Sequence, residues 1–418
     1  MTNATICTVN DGNETFVPIP GMEEASLKIL NSQVLLPFSL QDGTTCAFLG
    51  PFIGQNKKNF DNTLLPEDFS TLPFIYSPTI DLNLFGDTTK IFRAFPPTKD
   101  RHFQWLERVE KSMHSVWVGA GISDFIQLSK FDLHAFDPQM LLSAIFFWNR
   151  ETRAFEFPCG FVCPTLLDIA AITGLAPIGD RFYPDAFEGE ISIKETYISC
   201  DKKTYLAFIN AHMGQLDTPV STSEYIAFLM YWLSACVFCT PSLQVPKYYY
   251  MLAQALHLQK KICLSKLLLA SLYSSLDEAS KSLFRESGPR NLSGPLWLLQ
   301  LWLNAILEKR LENFAKYIRA FLSFSEFTKD LSPFIRSDLL GPSWLRENNQ
   351  VENISPDFVD MWFGFLSWDV ILSGMRKKDV RIYPYQPQIF SRQFGLCQMK
   401  PLPLRHKERI DVDICVKK

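Results

Sequence analysis

The sequence lacks the common motifs of nucleotide-binding and hydrolytic proteins. It contains no G-x-x-x-x-G-K-[ST] phosphate loop, no H-E-x-x-H metal helix and no G-x-S-x-G nucleophile turn. Its six histidines are scattered, and the Gly119 to Gly121 stretch lacks the third glycine of a dinucleotide-binding turn. Because no catalytic, cofactor-binding or metal-binding residue can be assigned, we predict a protein that is not an enzyme and uses no cofactor.

Charged residues are also scarce. They make up 20% of the chain, against about 25% in ordinary domains, whereas 47% of the residues are hydrophobic and 14% aromatic. The 41 basic and 44 acidic residues give a net charge of −3, which excludes the uniform positive field of a histone-like nucleic-acid binder. This composition predicts apolar surface that a protein partner or another domain covers.

Cysteine is too sparse and too irregularly spaced for a disulfide framework, with ten in 418 residues. The first residues have neither the basic nor the apolar region of a secretory signal, so we expect free thiols and an intracellular protein. The pairs Cys159 with Cys163 and Cys236 with Cys239 would have to converge to hold Zn²⁺. Core packing is the favoured interpretation of both pairs.

One uncharged stretch, residues 225–246, is long enough to cross a membrane. Its second half contains Pro241, Pro246 and several polar residues, and Thr222 with Ser223 resembles a helix start. We therefore predict a core helix at 222–239 and no membrane contact.

The sequence pattern divides the chain into an N-terminal region, a central body and a C-terminal segment. Residues 1–100 are rich in turn-forming sequences, which predicts a loop-rich region wrapped on the main body. From 102 to 374 apolar residues recur at helical spacing, which predicts a mainly α-helical globular body. Further helical patterns cover residues 201–214, 222–239, 247–285, 294–323 and 356–372.

A helix, a small β-hairpin and a second helix are predicted in the middle of the body. Asp137 before Pro138 is typical of a helix start, and the following apolar run extends to Arg150. Alternating residues at 154–163 indicate a hairpin. Thr165 with Asp168 forms a capping pattern for the next helix, which Gly174 should end.

The C-terminal segment is basic. Residues 375–418 hold eleven Lys and Arg against four Asp and Glu, a net charge of +7, which leaves −10 for the rest. Its cations alternate with aromatic residues, so it can bind nucleic acid, dock on the acidic body, or remain solvated. Docking is the favoured interpretation. The candidate residues of this segment are Arg376, Lys377, Lys378, Arg381, Arg392, Gln393 and Phe394.

Several blocks of the sequence together resemble the plant mobile domain family, which includes Maintenance-of-Meristems-like proteins and is also called aminotransferase-like. These blocks, in chain order, are residues 121–130, 141–175, 293–303 and 391–403. The resemblance assigns the domain to residues 101–405, with a helical body at 102–374, a basic clasp at 375–405 and a tail at 406–418. Ser293 stands where relatives often have glycine.

The resemblance implies a protein of the nucleus, or else of the cytoplasm, with a retrotransposon-derived domain. It implies roles in transposon or gene silencing and meristem maintenance through protein partners, among them a phosphatase-like protein. The alternative is a retrotransposon-derived module that binds nucleic acid through the basic segment. The aminotransferase-like label would require a pyridoxal phosphate site with a Schiff-base lysine, and no such set can be assembled from the sequence.

Overall fold

A computed structural model describes most of the chain between residues 100 and 336 and short stretches on either side. The described residues are 6–10, 13–17, 37–39, 45–47, 92, 96–97, 100–131, 136–150, 152–180, 182, 198–201, 204–215, 217–283, 291–324, 327–336, 364–365, 371–376, 379–385 and 387–394. This part of the chain is mostly helical and carries small antiparallel sheets, which confirms the predicted mainly α class.

Ten α-helices lie within the described residues. They are α1 (Asp100–Gly119), α2 (Ser123–Leu128), α3 (Pro138–Ile145), α4 (Leu166–Thr173), α5 (Tyr205–His212), α6 (Thr222–Trp232), α7 (Tyr249–His257), α8 (Leu264–Leu283), α9 (Leu296–Ile306) and α10 (Phe314–Leu322).

The strands form three separate antiparallel sheets. Their bounds are β1 (Ile6–Asn10), β2 (Asn13–Val17), β3 (Pro37–Ser39), β4 (Thr45–Ala47), β5 (Trp148–Asn149), β6 (Ala154–Phe157), β7 (Gly160–Val162), β8 (Ile371–Arg376) and β9 (Asp379–Pro384). The strand orders are β2-β1-β4-β3, β5-β6-β7 and β8-β9.

The predicted wrapping of residues 1–100 on the body falls largely outside the described residues. Phe92 contacts the body, because it is buried and forms an isolated parallel bridge with Leu292. Its ring also packs edge to face with that of Phe136, at 6.2 Å between centroids. The end of the N-terminal region is therefore packed on the body.

The predicted helix, hairpin and helix are present, with one correction. Asp137 caps α3 by accepting hydrogen bonds from the backbone of Gln139 and Met140. The helix ends at Ile145 and not at Arg150, because the chain turns and Trp148 pairs with Phe155 as a third strand. A run of apolar residues that is buried on all sides can form either a helix or a strand. The spacing of its apolar residues therefore could not show where α3 ends.

The start and end of α4 follow the prediction. Thr165 and Asp168 form a reciprocal capping box, and Gly174 ends the helix at φ 76°. A side chain at Gly174 would also collide with Asp124. Leu166 and Ile169 are fully buried, whereas Ile172 is partly buried against the core.

The predicted core helix at 222–239 is present as α6 followed by a π-helical turn, Leu233–Val237. Tyr225 to Cys239 are all buried, which explains the apolar character of this stretch. Among the residues that the structure describes, no helix has both the length and the apolar content needed to cross a membrane.

Three of the longer helical predictions were wrong in extent. The 247–285 pattern is two helices, because residues 258–263 leave the helix and Ile262 bridges to Asp180. The 294–323 pattern is also two helices, α9 and α10. Most of 356–372 lies outside the described residues, and its last two residues belong to β8. The predicted body boundary at 374 therefore falls inside a strand.

The α1–α6 junction, formed by Trp105, Arg108 and Glu224, contains a buried ion pair. Arg108 Nε lies 2.7 Å from Glu224 Oε1, and both side chains are 5% exposed. Trp105 Nε1 donates a third hydrogen bond to the same carboxylate. Because its carboxylate accepts these hydrogen bonds, Glu224 has a lowered pKa despite the opposing effect of burial, and it stays ionised at neutral pH.

Candidate docking site

The C-terminal junction is where residues 385–394 contact the hairpin and the start of α4. Residues Pro387–Phe394 form 3₁₀-helical turns beside this unit. The backbone N–H of Cys163 donates to Gln393 Oε1 at 2.7 Å, and Arg392 Nη2 donates to the carbonyl oxygen of Cys159 at 2.6 Å. Two of the candidate residues thus satisfy backbone groups of a hairpin more than 200 positions earlier.

Aromatic side chains bury this junction. Tyr385, Phe390 and Phe394 are each 3% exposed or less. The hydroxyl oxygen of Tyr385 accepts a hydrogen bond from the backbone N–H of Leu166 at 3.2 Å. Arg392 lies 4.9 Å from the ring centroid of Phe327, and burial lowers the pKa of its guanidinium. Leu396, another apolar residue of this segment, lies outside the described residues.

A buried polar network lies beneath the junction. Cys163 Sγ donates to Tyr273 Oη, which in turn donates to the carbonyl oxygen of Pro164 at 3.0 Å. Asp168 accepts from the backbone and the hydroxyl of Thr165, and burial raises its pKa to about 6.

The two cysteine thiols at the hairpin are held in their protonated form. Burial raises the pKa of Cys159 to about 11 and that of Cys163 well above its ordinary value. Since the thiolate is the nucleophile and the metal ligand, these cysteines act here as packing and hydrogen-bonding groups. Within the described residues, no group of three or more His, Cys, Asp or Glu side chains is arranged to hold a metal ion.

Two of the other candidate cations, Arg376 and Arg381, belong to the β8–β9 hairpin. Arg376 pairs with Asp379 and Gly374 pairs with Arg381, so Arg376 and Arg381 share one face of the hairpin. Lys377 and Lys378 lie outside the described residues. Within the described residues, the basic segment comprises the docked part at 385–394 and the β8–β9 hairpin, whose strand β8 packs on α8.

Two apolar side chains that the sequence did not single out, Val118 and Leu258, are exposed on neighbouring chain segments and are together called the Val118–Leu258 patch. Val118 at the end of α1 is 59% exposed, and Leu258 just after α7 is 52% exposed. The two chain segments touch, since a side-chain carbon added at Gly119 would overlap the amide of Gln259. The sequence could have indicated that Val118 is exposed, because this residue lies off the apolar stripe of α1.

The patch rests on fixed elements. Trp117, next to Val118, and Leu256, two residues before Leu258, are both fully buried. Beneath them, the rings of Tyr225 and His257 lie 5.6 Å apart. An exposed apolar pair on a packed base can be recognised without a conformational change.

Comparison with protein families places this fold. The model of the plant mobile domain matches residues 121–335, just over half of the chain. The chain therefore belongs to the plant mobile domain family. The matched region contains α2 to α10 and the hairpin, and it ends before the C-terminal junction.

A curated relative is the Protein MAINTENANCE OF MERISTEMS of Arabidopsis thaliana. It is 25% identical over 306 residues, which cover 63% of this chain and 58% of the relative. The chain thus spans less than two thirds of the length of that relative. No solved structure matches the chain.

Proposed function

We propose that this chain acts in the nucleus as a non-enzymatic interaction protein, through protein partners that serve transposon or gene silencing or meristem maintenance. The observation that carries the proposal is the Val118–Leu258 patch, because exposed aliphatic side chains on a rigid surface can be buried by a partner. The name of the Arabidopsis relative supports meristem maintenance, and the silencing role comes from the family resemblance. That resemblance also implies a phosphatase-like protein as one candidate partner.

The Val118–Leu258 patch can be tested separately from the stability of the fold. Buried aromatic residues fill the core, so Val118 and Leu258 are not needed to complete it. A partner that presents an apolar side chain to this site would remove their surface from water, which favours association.

The test compares partners captured from plant nuclei and cytosol by the full chain and by a double variant, Val118→Ser with Leu258→Ser. Leu206→Ser is the matched control, because Leu206 is 49% exposed on α5 and outside the patch. We expect the double variant to lose a nuclear partner that the wild type and the control retain, with melting temperatures unchanged. Equal nuclear capture by all three proteins would contradict the proposal, as would partners found only in the cytosol.

A second candidate function is nucleic-acid binding by the β8–β9 hairpin. The strand register favours it, because it places Arg376 and Arg381 on the same face as Tyr383. Binding of this kind weakens steeply as salt rises. Submicromolar, salt-sensitive binding of RNA or DNA that Arg376→Ala with Arg381→Ala abolishes would favour this function over the first.

A further inference from the structure

Thr218 lies in an exposed turn between α5 and α6 and is followed by Pro219. Ser-Pro and Thr-Pro are the dipeptides that proline-directed protein kinases recognise. Within the described residues such dipeptides begin at Thr218, Thr240 and Ser332. Thr218 is exposed, whereas Thr240 is 6% and Ser332 is 4% exposed. Thr218 is therefore the one of these three residues that a kinase can reach in the folded chain.

The surroundings of Thr218 supply partners for a phosphate. Its hydroxyl oxygen accepts a hydrogen bond from Arg108 Nη2 at 3.3 Å and donates to the carbonyl oxygen of Gln215 at 2.8 Å. Its carbonyl oxygen accepts from Arg108 Nη1 at 2.8 Å. A guanidinium already directed at the hydroxyl could bind a phosphate at the same oxygen by charge-assisted hydrogen bonds.

Space for the added group is present beside the turn. A cavity of about 340 Å³ lies between α1 and residues 217–220. Lys111 and Arg108 supply positive charge to its lining, and Glu107 and Asp217 supply negative charge. The added phosphate would therefore be held on the Arg108 side and repelled by the acidic side chains.

We propose that Thr218 is a phosphorylation site for a proline-directed kinase. The hydroxyl oxygen of Thr218 forms a bond to the γ-phosphorus of ATP, the bond from that phosphorus to the β,γ-bridging oxygen breaks, and ADP leaves. The hydroxyl proton passes to the catalytic base of the kinase. The modified residue gains about −1.5 to −2 charge at neutral pH.

The phosphate acts on the α1–α6 junction. Arg108 Nη2 also donates to Glu224 Oε2 at 2.9 Å, so the phosphate competes with Glu224 for the same guanidinium. It also places negative charge near a buried carboxylate. Phosphorylation therefore weakens the ion pair that joins α1 to α6, and the modified protein melts at a lower temperature.

The experiment incubates the folded full chain with a proline-directed kinase and ATP, and maps phosphate by site-resolved mass spectrometry. We expect phosphate at Thr218 and none at Thr240 or Ser332. Thr218→Ala should abolish the signal at this site, Thr218→Ser should restore it, and Pro219→Ala, which keeps the hydroxyl, should lose most of it. Peptides 213–224 and 235–246 are the access control, because both should accept phosphate once free of the fold.

Two results would overturn the proposal. The first is a folded chain with no phosphate at Thr218 under conditions in which the 213–224 peptide is modified. The second is phosphorylation of Thr240 in the folded chain to the same extent as Thr218, because burial would then not protect Thr240 from the kinase. If Thr218 is modified and the melting temperature does not fall relative to the unmodified chain, the link through Arg108 is wrong.

Discussion

The two junctions of this protein are held by different kinds of interaction. At the α1–α6 junction a buried ion pair joins Arg108 to Glu224. At the C-terminal junction the bonds of Tyr385 and Gln393 are to backbone N–H groups and involve no charge pair. The first junction can respond to added charge, whereas the second depends on the presence of a distant chain segment. The C-terminal junction can therefore be disrupted by removing a chain segment, and the α1–α6 junction by removing a single charge.

Truncation after Gly374 should have the largest effect, because it removes Tyr385, Phe390 and Phe394 together. Loss of one buried aromatic side chain costs about 3–5 kcal/mol, and a whole domain is held by about 5–15 kcal/mol. We expect the truncated chain to lose its cooperative melting transition. Truncation after Arg405 is the control and should leave the melting temperature unchanged. If both truncated chains melt at the same temperature, the C-terminal junction does not stabilise the fold.

Arg108→Ala tests the other junction. It leaves the Glu224 carboxylate buried without its cation, and we expect a loss of about 3–5 kcal/mol in the free energy of unfolding, measured with urea. The double variant Arg108→Met with Glu224→Leu removes both charges and should be far more stable than Arg108→Ala. If the single and double variants unfold alike, the ion pair is not what holds α1 to α6.

Gln393→Ala should have a smaller effect than either change. It removes the acceptor of the Cys163 N–H, and a buried donor without a partner costs about 1–3 kcal/mol. Gln393→Glu keeps an acceptor at the same position and is the comparison variant. Urea unfolding at fixed pH measures both, and a wild-type free energy for Gln393→Ala would contradict the assigned hydrogen bond.

Glu156 makes the region of the hairpin sensitive to pH. Burial raises its pKa to about 7, and Asn149 donates a hydrogen bond to it. Because the folded-state pKa lies above the unfolded value, this group favours folding at low pH, and that stability is lost as pH rises from about 4.5 through 7.

Glu156→Gln should therefore raise the free energy of unfolding at pH 8 by about 1–3 kcal/mol and have little effect at pH 4. Burial lowers the pKa of His102 to about 4, so this residue affects stability in the opposite direction. Because His102 is present in both proteins, the difference between their free energies of unfolding reports on Glu156. A difference that does not vary with pH would show that Glu156 keeps its ordinary pKa in the folded state.

Local features of the fold could be predicted from the sequence, because each depends on residues a few positions apart. The capping box of Thr165 and Asp168 and the end of α4 at Gly174 are examples.

The remaining features depend on contacts between distant residues. The break after His257 is fixed by the bridge from Ile262 to Asp180, and the Arg108–Glu224 pair joins positions 116 residues apart. No periodicity of one segment contains that information. The basic and aromatic composition indicated Arg392, Gln393 and Phe394, but Tyr385 as the acceptor for Leu166 could be seen only in the structure.

Residue-resolved amide hydrogen exchange of the full chain tests the central claim, that residues 385–394 are an integral part of the body. We predict that the N–H groups of Cys163 and Leu166 exchange as slowly as the core of α4. Gln393→Ala should accelerate exchange at Cys163 more than at Leu166, and Tyr385→Phe should accelerate it at Leu166 more than at Cys163. Fast exchange at both positions in the wild-type chain, or no change in either variant, would contradict the account.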